Sequence, residues 1–216
     1  MKLRIVYDNE AKEGLESDWG FSCLLEAEKK ILFDTGASGE ILSRNMQQLG
    51  IRKEDIEIIV LSHEHWDHIG GLDAVLHQKV TVYVPSSFTR ETKKSIEGKA
   101  SEVVEVSGPA DIVSGVHTTG ELGAGIKEQS LVLDTKGGVV VLTGCAHPGL
   151  ETILDAAKSF GELYGVIGGF HGFDKLKSLE KLKMVMPCHC TVRKEQILRM
   201  YQEKAVWCGA GEVIEI

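Results

Sequence analysis

At 216 residues, with 43% hydrophobic and 26% charged content, the chain has an ordinary soluble composition and can bury about 70% of its unfolded surface in one domain. A formal charge of −8 tells against a nucleic-acid enzyme, which carries a basic surface for phosphates, and no apolar run reaches the length of a membrane span. Neither nucleic acid nor membrane is therefore an expected partner. Five cysteines, Cys23, Cys145, Cys188, Cys190 and Cys208, are an odd number in a chain long enough to need no staples, so a disulfide framework is not expected.

Residues 1–8 predict a first strand that reaches Asp8 too early for a signal peptide, which makes the cytoplasm the expected location. Residues 30–34 read as a short strand ending in Asp-Thr-Gly, followed by a helix with Ile41, Leu42, Met46 and Leu49 on one face. A strand over 56–61 runs into His63-Glu64-His65-Trp66-Asp67-His68. Gly70-Gly71 then bends the backbone, and the spacing of Leu72, Val75 and Leu76 predicts a helix over 72–78. Residues 81–84 alternate as a strand closed by Pro85, and 86–98 are helical in character with Ser86 or Ser87 as cap.

The second half begins near Ile112, where strand-like segments dominate. Residues 131–134 and 139–142 flank Lys136-Gly137-Gly138 as a hairpin. Then come a helix over 150–160, a strand over 164–167, a helix over 175–183, a strand over 184–186, a helix over 193–203 and a final strand over 212–216. Strands alternating with helices in both halves, about 1–110 and 111–216, predict an α/β fold. Two mixed sheets would pack face to face with helices outside, a four-layer α/β/β/α sandwich forming a single domain over 1–216.

The chemistry follows the strands. Imidazole and carboxylate together suit zinc, iron or manganese, and residues 63–68 hold five such side chains, of which His63, His65, Asp67 and His68 are the candidate ligands. His63 and His65 share one side of an extended stretch, while Asp67 and His68 follow where the chain turns, so the segment can serve two adjacent ions. Asp34, His147, His171 and His189 also lie just after apolar runs, and they converge on one cleft if those strand ends share an edge. Other candidates take structural readings: His77 as a surface residue, His117 as a strand residue. Cys188 and Cys190 flank His189 like half a zinc knuckle, but alternation sends both away from it. Trp19, Trp66 and Phe170 suit a cleft lining or a core equally.

His63-x-His65-x-Asp67-His68 after a buried strand, preceded by Phe33-Asp34-Thr35-Gly36, resembles the metallo-β-lactamase superfamily. The segments Trp19-Gly20-Phe21-Ser22, Glu128-Gln129-Ser130-Leu131 and Thr143-Gly144-Cys145-Ala146-His147-Pro148-Gly149 narrow the likeness. Together with Gly168-Gly169-Phe170-His171 and His189-Cys190-Thr191, they resemble the branch of 7,8-dihydropterin-6-yl-methyl-4-(β-D-ribofuranosyl)aminobenzene-5′-phosphate synthases. The chain departs from that branch in lacking much of a central insertion between Pro85 and Glu128, and in having Gly172 and Val192. It departs from the wider superfamily in placing Cys145, not a bridging carboxylate, after Thr143-Gly144.

The expected centre holds two divalent metal ions, zinc first, with manganese or iron as alternatives. One is assigned to His63, His65 and His147, the other to Asp67, His68 and His189. Three protein ligands at each ion leave open positions for water. His171 competes with His147 for the third histidine place. Asp34 is expected to orient a histidine N–H from behind. Cys145 reads as a soft ligand, a nucleophile or a small buried residue, with the last favoured. Asp67 would bind one ion and align an attacking hydroxide. The expected activity is hydrolysis of a small ester, lactone or phosphodiester. The branch implies instead a transferase joining a pterin to a ribosylated aminobenzene phosphate, and a third reading is a metal-bound redox or sensor module.

Overall fold

The first strand already sets the layering. In the computed structural model, which describes residues 1–216, β1 (Lys2–Tyr7) sends Leu3 and Ile5 to one side of its sheet and Val6 to the other. Beside it lie β2 (Ser22–Glu26), β3 (Lys30–Phe33), β4 (Ile58–Val60), β5 (Thr81–Pro85) and β6 (Glu102–Val106), in that order. The second sheet holds β7 (Ala110–Val113), β8 (Val116–Thr118), β9 (Leu131–Thr135), β10 (Gly138–Thr143), β11 (Leu163–Gly169) and β12 (Met184–Cys188), again neighbour to neighbour. The last strand, β13 (Val213–Glu215), returns to the first sheet and pairs antiparallel with β1, Leu3 opposite Ile214. The halves therefore exchange an element that the sequence had assigned to the second.

Three apolar clusters make four layers. Between the sheets, Leu3, Ile5, Phe33 and Val60 meet Leu131, Val140, Leu142 and Ile167. Outside the first sheet, Val6, Leu32 and Ile59 pack on Leu42 and Met46 of α1 (Gly39–Gln48) and on Leu72 and Val75. Outside the second, Val139, Val141 and Val166 pack on Ile153 and Leu154 of α5 (Leu150–Ala157) and Ile197 of α6 (Lys194–Met200). Each such fully buried aliphatic side chain contributes about 1.5–3 kcal/mol.

Several predicted elements come out shorter or different. The helix expected over 72–78 is a single turn, α3 (Leu72–Val75), and another turn, α2 (Trp66–Ile69), forms within the histidine segment before it. Gly71 between them packs so tightly that a Cβ there would lie 2.1 Å from the Thr35 carbonyl. The helix at 86–98 is α4 (Arg90–Glu97), capped by Thr89, whose Oγ1 accepts from the Thr92 N–H, and not by Ser86 or Ser87. Residues 175–183 form only a 3₁₀ turn, Leu176–Lys181. β2 and β6 were not anticipated; β6 is an edge strand whose charged residues blur its alternation.

Strand direction positions the chemistry. β3, β4 and β5 run parallel, as do β10, β11 and β12. In parallel sheets the loops after the carboxyl ends form a common crevice. Asp34, His63, Cys145, His171 and His189 all follow such ends.

Candidate metal centre

Asp34 is the anchor on the first sheet. Fully buried after β3, it accepts the Ser62 N–H at Oδ1 (2.7 Å) and, at Oδ2, the Ser62 hydroxyl and Nδ1–H of His68 (2.7 Å each). Because the Ser62 hydroxyl donates to a carboxylate, its oxygen is left to accept from Nδ1 of His63 at 2.9 Å. Nδ1 of His189 likewise donates to Oδ1 of Asn9 at 2.9 Å. With Nδ1 protonated, each of these three rings turns an Nε2 lone pair inward.

Glu128 does the same for the second sheet. Also fully buried, it accepts through Oε1 from the N–H groups of Gly144, Cys145 and Ala146 and from the Thr143 hydroxyl at 3.0–3.1 Å, and through Oε2 from the His147 N–H at 2.9 Å. This grip holds Ala146 at φ 58°, and Asp34, His171 and His189 share that left-handed conformation at 55°, 44° and 45°. Each costs on the order of 1–3 kcal/mol and is held only because its surroundings over-determine it. Gly144 lets the two anchors meet: a Cβ there would lie 2.3 Å from Oγ of Ser62.

The donors fall into two sets, in each of which all ligand atoms lie within 4.8 Å of one another: His63, His65 and His147, and Asp67, His68 and His189. Nε2 of His63 faces Nδ1 of His65 at 3.1 Å. His171 stands outside both, its ring 5.0 Å from that of His147. In the second set Oδ2 of Asp67 accepts from Nε1 of Trp19 at 2.9 Å and lies 3.2 Å from Nε2 of His189. Cys145 is buried, as expected, but also reaches the site, with Sγ 3.1 Å from Nε2 of His68.

Burial pushes the pKa of His63 well down, aided by the surrounding histidines, and brings His147 to about 4, aided by His65 and His171. Burial also lowers His189, against the pull of Asp67. For His68 burial is outweighed by Asp34, and the net shift is upward. Burial works against ionisation of Asp67 too, yet His189 and His68 hold its carboxyl well below the usual range. Contact with Cys190 and burial push the Cys145 thiol far up. His63, His147 and His189 are thus held as neutral imidazoles beside an ionised Asp67, the protonation states that cation binding requires, whereas His68 must give up its Nε2 proton to bind. The fit is tested independently by two buried atoms, Nε2 of His147 and of His189, which have no hydrogen-bond partner. The residues present fit a bound cation.

Five contributors had no assigned role in the sequence reading: Ser62, Glu128, Asn9, Asp8 and Cys190. Asp8 accepts the His189 N–H at 2.9 Å, and burial lifts its carboxyl to about 7. Like Asp34 it follows a strand directly, which is the signal it offered. Cys190 turns toward the site, its Sγ 3.2 Å from that of Cys145, because His189 leaves the extended conformation and breaks the expected alternation. Cys188 does point away, and it forms a disulfide with Cys208, a pairing the sequence reading did not foresee. Phe170 is core, Trp66 is exposed, and His77 is half-buried with Nε2 on the Ile56 carbonyl. A cavity of about 470 Å³ between α5 and the 3₁₀ turn contains none of the site residues.

A sequence profile of the metallo-beta-lactamase superfamily matches residues 21–190, spanning both sheets and both donor sets. The chain belongs to that superfamily. The sandwich is thus the metallo-beta-lactamase fold, and the protein is an enzyme, as its relatives are. One relative is the 7,8-dihydropterin-6-methyl-4-(beta-D-ribofuranosyl)-aminobenzene-5'-phosphate synthase of Methanocaldococcus jannaschii, 27% identical over 92% of this chain and 90% of its own. That match runs over 265 positions, more than this chain's 216, so the synthase carries residues absent here. An N-acyl homoserine lactonase of Bacillus cereus is 27% identical over 76% of this chain and 74% of its own. Among solved structures, Tm1679, a metal-dependent hydrolase of the beta-lactamase superfamily, superposes with a TM-score of 0.83 over 100% of this chain and 99% of its own, at 26% identity. No helix is long and apolar enough to cross a membrane.

Proposed function

We propose that this enzyme is a metal-dependent hydrolase of a small ester, lactone or phosphodiester, working through two divalent cations, zinc first. The observation that carries the reading is the pair of adjoining donor sets, His63–His65–His147 and Asp67–His68–His189, with buried Nε2 atoms left unpaired between them. When bound, the cations would supply Lewis acidity that readies a water and steadies charge growing on a substrate oxygen. Asp67, kept ionised by its histidine neighbours and held by Trp19, accepts a hydrogen bond from the attacking water and aligns it. Asp34 and Asn9 keep the inward Nε2 lone pairs of His68 and His189 aimed at the same point. The similarity to a metal-dependent hydrolase along the whole chain, and to a lactonase over most of it, supports the choice.

The test is to strip the protein with a chelator, then assay it with and without zinc, manganese or iron on a panel of chromogenic esters, lactones and phosphodiesters. Restored turnover of one class supports the reading; activity untouched by stripping overturns it. The synthase similarity keeps a second reading, condensation of a pterin with a ribosylated aminobenzene phosphate. Its support is coverage of 92% of this chain; against it stand the residues this chain lacks and a scattered set of basic side chains. A direct condensation assay separates the two.

A further inference from the structure

One thiol lies where the two donor sets meet. Cys145 forms a group with His63 and His68 whose ligand atoms all lie within 4.8 Å of one another. His63 belongs to the first set and His68 to the second, so the same sulfur reaches both. Cys145 also groups with His189 and Cys190 at the same spacing. Nε2 of His189, on a side chain with 0% exposure, has no hydrogen-bond partner of its own. The backbone that presents the sulfur is held rigidly: Glu128 takes the N–H of Cys145 and of both its neighbours. A buried thiol serving only as filler needs no such placement against two histidine nitrogens.

We propose that Cys145 is a ligand shared between the two cation positions, bound as a thiolate. The inference rests on the metal-dependent reading above and deepens it, because a soft sulfur donor selects zinc, iron or cobalt over magnesium and manganese. On binding, the Cys145 S–H bond breaks, the proton leaves to buffer and the sulfur lone pairs go to the cations; nothing is oxidised or reduced. Cys190, with Sγ 3.2 Å away, then acts as an S–H donor to that thiolate. Cys23 lies in the core between the sheets and Cys188 is tied to Cys208, so neither competes for the role.

Cobalt(II) titrated into the metal-stripped full-length protein tests the assignment. Visible d–d bands report cobalt bound by any donors, whereas a near-ultraviolet sulfur-to-cobalt charge-transfer band reports a thiolate ligand. The expected result is both signals in the wild type and in Cys190→Ser, and loss of the charge-transfer band with d–d bands retained in Cys145→Ser. Cys145→Asp, which offers a carboxylate in place of the sulfur, should bind two equivalents of cobalt without the charge-transfer band. Should Cys145→Ser fail to fold, the comparison of wild type with Cys145→Asp and Cys190→Ser still decides. Cobalt bound without a charge-transfer band, or a band that survives loss of Cys145, overturns the ligand assignment and leaves the hydrolase reading standing. No cobalt uptake at all overturns both.

Discussion

Oδ2 of Asp34 lies 2.7 Å from Nδ1 of His68, with both side chains wholly shielded from solvent. A charged acceptor behind an imidazole fixes its tautomer and makes its other nitrogen a better donor to a cation. Asp34→Asn keeps the volume but removes the charge, and turns an amide NH₂ against either Ser62 or His68. Cation affinity should fall by about 10- to 100-fold with the fold intact. Competition against a chromophoric chelator, with circular dichroism as the control, measures this. Unchanged affinity would show that the contact is only structural.

His65 is half-buried and Asp67 is the least buried member of its set, so removing either opens one cation position without leaving a large cavity. His65→Ala should lower the bound metal from two equivalents toward one at the first position, and Asp67→Ala should do so at the second. Turnover should drop in each by on the order of 10²–10³, and chelation of the wild type should reproduce the loss. Metal analysis beside steady-state rates checks both. Full metal content with full activity in Asp67→Ala would remove this residue from the reaction.

The glutamate on the second sheet is as consequential as the histidines. Glu128 accepts five hydrogen bonds from the 143–147 turn inside the protein, and hydrogen bonds to a charged group contribute about 1.5–3 kcal/mol each. Glu128→Gln replaces one acceptor oxygen with a donor that must face other donors. We expect a loss of about 3 kcal/mol in unfolding free energy together with weakened metal binding through the displaced His147. Thr143→Ala, which removes one donor and leaves the carboxylate four others, should cost about 1 kcal/mol. Urea unfolding of the two variants distinguishes them; equal losses would contradict the proposed division of labour.

The sandwich and the His-x-His-x-Asp-His segment were legible because their signals are local. The run 58–61 is apolar on both faces, and its histidines follow at once in the chain. What was not legible depends on encounters between distant residues. Asn9 meets His189 across 180 positions, and nothing near either announces the other. The period-two rule misdirected Cys190 because one residue, His189, adopts φ 45°. The Cys188–Cys208 bond follows from the chain's return toward the first sheet, which composition cannot reveal. Glu128 was visible as an acid before a strand and as part of a segment carrying the family resemblance, but without a role, which appears once β9 and β10 pair and the 143–147 turn closes over it.

Away from the centre, His117 ties three strands together and gives the fold a pH dependence of its own. On β8, its Nδ1 lies 2.6 Å from Asp111 of β7 and its Nε2 3.3 Å from Asp134 of β9, with the ring stacked on Phe160. A neutral imidazole can donate to only one of these carboxylates; the imidazolium donates to both. Burial alone would lower its pKa, but the hydrogen bonds to Asp111 and then Asp134 raise it above 6.5. Since the folded-state pKa exceeds the unfolded one, the stabilisation is complete below the unfolded value and is lost as pH rises through the folded value. Both carboxylates are largely solvated, which limits the effect to about 1 kcal/mol or less. His117→Gln should therefore be less stable than wild type in urea unfolding at pH 6, and the gap should narrow toward pH 9. A gap that stays constant across that range would mean that packing on Phe160, and not charge, accounts for the contribution of His117.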